Sequence, residues 1–232
     1  LHTESIQEGN IPILDALKTF ESPLFGSSTH FHNILKSLDI SPDTADILDD
    51  MKFLTTSVQG DLAYQHTFGT YQSNIKLNAT SLWTRNRVAD LPAISPTSLN
   101  STEDLIYETV RLAALLYSTA ISSRSPFSYT SQYSILQDLW KAIWRISLSR
   151  WKKIPGVFLW VILVACASSK DKMQRRLLKL NIAAVVLHIE VTRTGIAVSC
   201  LRAFLRVQKW LKHIESKEVL EEGYKSVDNS HG

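Results

Sequence analysis

Glycine, proline and cysteine are all scarce in this chain of 232 residues, at eight, seven and two copies. So few chain-breakers favour long helices over many short strands. The two cysteines, Cys166 and Cys200, lie far apart among apolar neighbours, and no Cys-x-x-Cys pair exists. Their spacing excludes a zinc ribbon or dithiol redox motif and casts both thiols as small hydrophobes. A phosphate-binding loop, a Gly-x-Gly-x-x-Gly turn, a His-Glu-x-x-His pair and a Gly-x-Ser-x-Gly elbow are all missing. With no secretory leader and almost no cysteine, the chain reads as intracellular.

Nor does the chain contain a long hydrophobic run. Its most apolar stretch is Val157 to Ala167, framed by Pro155-Gly156 and Ser168-Ser169-Lys170-Asp171. As a helix this stretch measures about 16 Å, against roughly 30 Å of hydrocarbon in a bilayer. A core helix is expected there, and no membrane span. Apolar residues make up 44% and charged residues 20%, which suits a globular domain rather than a disordered one.

What is present is helical periodicity. Ser41-Pro42-Asp43 has the signature of a helix start, and Ile47, Met51, Leu54, Val58 and Leu62 follow as one apolar stripe. Shorter helices are expected around 13–20 and 31–38. Residues 78–100, rich in Ser, Thr, Asn and Pro, read as an irregular connection. Ser101 and Asp104 resemble a capping box that opens a helix with Ile106, Val110, Ala113, Tyr117 and Ala120 inward and Asp104, Glu108, Arg111 and Ser118 outward. Further helices are expected over 132–148, 156–168, 172–189 and 195–214. The one at 132–148 buries Leu136, Leu139, Trp140 and Ile143. No segment alternates with period two. The expected fold is all-α, a compact multi-helix bundle around the central apolar helix at 156–168. Residues 1–100 form an N-terminal helical and irregular region packed on a core of 101–214, and 215–232 is a polar tail.

The net charge of +3 conceals a division. Residues 1–116 carry seven cations and fourteen anions, whereas residues 117–232 carry eighteen and eight. In the second half, Arg202, Arg206, Lys209 and His213 recur on one helix face; Lys170, Lys172, Arg175, Arg176 and Lys179 form a second group, and Arg150, Lys152 and Lys153 a third. A solvated face is the ordinary role of such stripes, with unspecific phosphate contact or a co-regulator as the functional one. Trp140, Trp144, Trp160 and Trp210 fall mainly at core positions rather than among these cations, so base-stacking is not indicated. Asp46, Asp49 and Asp50 have the spacing of a Mg²⁺-binding cluster in helical prenyl-diphosphate enzymes. A second such motif is missing, and the cluster reads as the wet side of a helix. His30 and His32 read as loop or helix-start residues. No catalytic residue, metal or cofactor is expected.

Three stretches carry a resemblance: Tyr-Glu-Thr-Val-Arg-Leu-Ala-Ala-Leu-Leu-Tyr (107–117), Pro-Gly-Val-Phe-Leu-Trp-Val-Ile-Leu-Val-Ala-Cys-Ala (155–167) with Arg175-Arg176 beyond it, and Leu-Arg-Ala-Phe-Leu-Arg-Val-Gln-Lys-Trp-Leu (201–211). In this order they resemble the regulatory domain that follows the zinc cluster in fungal-specific transcription factors. The resemblance covers roughly half the chain. It implies a nuclear, non-catalytic domain that modulates an attached DNA-binding module through protein co-regulators or a small apolar ligand; a homodimer is compatible with it. The zinc cluster needs six cysteines, so this chain alone is not expected to bind DNA specifically. That module is expected upstream of Leu1, or to have been lost. A partner or ligand groove is expected near Phe158, Trp160 and Phe204. Arg175, Arg176, Lys179, Arg202, Arg206 and Lys209 form the expected basic face. The alternatives are the Mg²⁺-dependent enzyme and a peripheral protein whose basic face meets acidic membranes or RNA.

Overall fold

A computed structural model describes residues 21–24, 29–68, 71–94, 101–170, 176 and 194–228. Among these residues the fold is all-α, with no strand. The helices are α1 (Phe31–Leu38), α2 (Pro42–Phe68), α3 (Tyr71–Asp90), α4 (Thr102–Ser122), α5 (Phe127–Thr130), α6 (Tyr133–Arg145), α7 (Leu148–Trp151), α8 (Pro155–Ser168) and α9 (Thr194–Asp228). The helix expected at 13–20, and that at 172–189 except for Arg176, lie outside the described residues.

The apolar helix sits where its composition requires. Every residue of α8 from Pro155 to Ala165 is buried, with Pro155 at the first turn, where its missing N–H costs nothing. A helix with no polar face loses about 25 cal/mol for each Å² it leaves wet, so it must be walled in. The walls are α4, α5, α6 and α9. Between α8 and α4, Trp160 meets Tyr117 edge-on at 6.0 Å, and the Tyr117 hydroxyl lies 2.9 Å from Thr55 Oγ1 of α2. One continuous core then runs from Leu24 to Leu211.

Helix α4 is the second hub. Its capping box is complete: Ser101 Oγ accepts from the Asp104 amide at 3.0 Å, and Asp104 Oδ2 accepts from the Ser101 amide at 3.3 Å. The inward stripe from Ile106 to Ala120 is buried as its spacing dictates. The opposite face, expected to be wet, is covered as well. Helix α3 and the strand-free stretch 91–94 pack over it, burying Glu108, Arg111 and Ser118. Arg111 and Glu108 meet that burial with a bidentate pair, at 2.9 and 2.7 Å. The Tyr107 hydroxyl donates to the Pro92 carbonyl at 3.1 Å.

Two expectations need correction. Residues 78–90 are helix, not connection. Leu77, Ser81, Thr84 and Val88 make a buried stripe spaced by four and three, and the Ser81 and Thr84 hydroxyls donate to carbonyls of their own helix at 2.9 Å. A polar composition therefore hid an amphipathic helix whose inner face satisfies itself. The second correction concerns the C-terminal end, where α9 does not stop at 214 but continues to Asp228, so the polar tail is helical through that residue.

The short helix α1 is held at both ends by other parts of the chain. Asp49 of α2 accepts from the amides of Phe31 and His32, at 2.8 and 3.2 Å. At the far end Asp39 adopts φ 55°, a left-handed cap, and the buried Arg150 donates to the Leu38 carbonyl at 3.0 Å and also to that of Asp39. Anion at the start and cation at the end both suit the helix dipole. Eight residues would not hold a helix unaided.

Three stability measurements follow, each by urea unfolding. Ser101→Ala should cost about 1 kcal/mol by removing the cap. Tyr117→Phe should cost about 1 kcal/mol, because Thr55 keeps its bond to the Met51 carbonyl when the phenol is lost. Arg111→Leu should cost about 3–5 kcal/mol, because it strands the Glu108 carboxylate in the interior. An Arg111→Leu protein as stable as the wild type would show that water reaches this pair.

Candidate functional site: an apolar groove beside a basic helix face

At 100° per residue, α9 divides into three arcs. Ala197, Cys200, Ala203, Val207 and Trp210 point inward and are buried. Arg202, Arg206 and Lys209 form an exposed arc. On the flank between the two lie Leu201, Leu205, Gln208 and Lys212, next to the buried Phe204 and Leu211 of the inner arc. With Pro126–Ser128 and with Leu163, Cys166 and Ala167 of α8, they line an open groove of about 460 Å³.

The groove is set by packing beneath it. Phe204 stacks on Phe127 at 5.4 Å, and Phe127 rests on Tyr117 at 5.7 Å. Ser131 Oγ donates to the Ser168 carbonyl at 2.8 Å, tying the end of α5 to the end of α8. Trp210 Nε1 donates to Asp61 Oδ2 at 3.0 Å, fixing α9 on α2. Burial pushes the Cys200 thiol up to about 11, although Ser22 bonds to it. Cys166, at the groove, is half-buried.

The three residues expected to share a groove do not come together. Phe204 lines the groove just described. Phe158 stacks on Trp151 at 4.5 Å and lines a different hollow, whereas Trp160 is wholly enclosed against Tyr117 and lines neither. The reason is helical geometry: residues two apart on α8 project about 200° apart, so one groove cannot take both Phe158 and Trp160. The indole N–H of Trp160 finds no acceptor among the described residues. Leu163, Cys166, Leu201 and Leu205 also line the groove, beyond the three residues expected there. The signal for two of them was present, because Leu201 and Leu205 widen the apolar arc of α9 beyond what its core contact uses.

The basic residues also separate. Arg202, Arg206 and Lys209 share one exposed face of α9, next to Leu205 and Lys212 at the groove rim. Arg176 is exposed, while Arg175 and Lys179 lie outside the described residues. Arg150 is not part of a wet face; it is buried under the end of α1, and burial lowers its tendency to hold a proton.

The aspartate cluster is occupied by structural contacts. Asp49 caps α1, Asp50 pairs with Arg87 at 3.0 Å, and Asp46 lies 3.1 Å from His32 Nδ1 and 3.8 Å from Arg87. His30 is the N-cap residue of α1 and His32 its second residue. Among the described residues there is no group of three or more His, Cys, Asp or Glu side chains placed to hold a metal ion. No helix among them is long and apolar enough to cross a membrane. The carboxyl of Asp50 is raised above its ordinary 3.8, mainly by burial. Its folded form therefore holds a proton more tightly than the unfolded chain, and its contribution to stability falls as pH rises from about 3.8 through the folded value.

No protein-family model matches the chain, and no curated protein or solved structure matches it either.

Two measurements check this geometry. At mildly alkaline pH, iodoacetamide should modify Cys166 in the native protein, while Cys200 should react only on unfolding; equal rates would mean that the inner face of α9 is not sealed against the core. Titration calorimetry with Mg²⁺ and a diphosphate analogue should give no heat, since the three aspartates are already engaged. Saturable heat lost in Asp46→Asn would revive the enzyme reading.

Proposed function

We propose that this chain is the regulatory domain of a fungal-type transcription factor, non-catalytic and nuclear, which modulates transcription by holding a small apolar ligand or partner segment in the groove between α5, α8 and α9. One observation supports this reading above the others: the groove combines an apolar floor (Leu163, Phe204, Leu211) with a cationic rim, Lys212, and the basic stripe Arg202–Arg206–Lys209 runs alongside. Apolar lining with few polar groups is what binding pockets for such occupants use. An occupant touching Leu205 and Lys212 would also touch the edge of the basic face. Occupancy thereby alters what that face presents to DNA phosphates or a co-regulator. The three stretches that resemble the fungal regulatory domain fall on α4, α8 and α9, the helices that build the core and one wall of the groove.

The test is a reporter assay with the full chain tethered to an unrelated DNA-binding module in a fungal cell. The tethered chain should change reporter output. Leu205→Glu, which puts a carboxylate at an exposed position of the groove, should abolish the change while leaving the unfolding midpoint within a few degrees of wild type. Iodoacetamide modification of Cys166 should slow when the groove is filled. A tethered chain without effect on the reporter, in a strain where it reaches the nucleus, would sink the proposal.

A further inference from the structure

Helix α6 should have hidden its tryptophans, and it does not. Leu136, Leu139 and Ile143 are buried as expected, but Trp144 is 56% exposed, Trp140 is half-buried and Tyr133 is 76% exposed. These three side chains fall within about 40° of one another on the helix, so they form one aromatic line along its outer edge. Trp140 and Trp144 stand edge to face at 5.6 Å, which holds the line in place. Beyond its end, Leu148 of α7 is 60% exposed.

The line leads into a hollow of about 300 Å³. Trp144 and Leu148 stand at its mouth; Ile143, Ile146, Phe158 and Ile162 make its floor. Charge around it is one-sided. Residues 133–153 contain a single anion, Asp138, and five cations, of which Arg150 is buried and Lys153 lies 4.0 Å from Asp39. Lys141 and Arg145 are exposed on the flank of α6, Lys152 is exposed just after α7, and Asp138 is engaged by Lys141 at 3.1 Å. The segment is therefore apolar where it is concave and positive around the edge.

We propose that the Tyr133–Trp140–Trp144 line of α6, with the hollow under Leu148, docks an acidic amphipathic helix of a partner protein, one large apolar side chain of which enters the hollow. A single concave socket suits a protruding Leu or Phe better than the flat interior of a lipid leaflet. Exposed tryptophans around such a socket are the residues that contribute most when desolvated at interfaces. The cationic surround selects for glutamates and aspartates on the partner's outer face and speeds encounter. The hollow shares no lining residue with the groove beside α9, so this proposal stands whether or not the reading of that groove does.

The experiment uses the full chain and a fluorescently labelled helical peptide with leucines at i, i+3, i+4 and i+7 and glutamates at its other positions. Its anisotropy should rise saturably with protein, and the affinity should fall with added salt. Trp144→Ala should weaken binding by about tenfold or more. The double variant Lys141→Glu/Lys152→Glu, which leaves the hollow intact, should do so too and serves if the tryptophan variant fails to fold. Leu205→Glu, in the other groove, should leave the affinity unchanged. The same peptide with lysine for glutamate should not bind. Equal binding of the two peptides, or full affinity in both the Trp144 and the lysine variants, would overturn the proposal. So would binding to phosphatidylserine vesicles without binding to the acidic peptide, or sedimentation of the chain as a dimer that Trp144→Ala dissolves; these assign the face to a membrane or to a second copy.

Discussion

The structure depends on enclosing α8. Eleven consecutive residues of that helix are buried, and no part of its circumference is polar enough to meet water. Everything around it answers that requirement. Helix α4 supplies Tyr117 against Trp160, α5 supplies Phe127, and α7 supplies Trp151 against Phe158. Helix α9 closes the arrangement through Phe204, stacked on Phe127.

Polar groups inside the bundle play a different part. They fix which helix lies where, rather than adding much net stability. Asp49 and Arg150 come from elements far apart in sequence and meet the two ends of α1. Asp61 meets the Trp210 indole across 149 residues. Glu108 and Arg111 neutralise each other on the face of α4 that α3 covers. Each contact satisfies a group that would otherwise be costly to bury, and each specifies one arrangement over its neighbours in register.

The legible parts of the fold were those governed by local pattern. Helices α2, α4 and α8 begin where their caps or prolines indicate, and their apolar stripes are buried. Helix α3 was not legible, because its inner face contains Ser81 and Thr84, which hydropathy counts as polar but which bond to their own helix. Of the candidate site, Phe204 and the exposed arc of Arg202, Arg206 and Lys209 were legible in the spacing of α9. Phe158 and Trp160 lie apart from that site, because two positions along a helix are enough to turn a side chain away. Trp144 departs in the opposite sense: the amphipathic pattern assigns it to the core, yet its side chain is 56% exposed.

By itself, the sequence determined the class of fold, the capping of α4 and the central position of α8. These follow from interactions within a few residues, where spacing and side-chain type are sufficient. Tertiary structure alone decided that Glu108, Arg111 and Arg150 are buried, that the aspartates serve as cap and ion-pair partners, and that an aromatic line on α6 stays open. Burial and pairing at those positions depend on which distant helix arrives against them, and no local pattern encodes that.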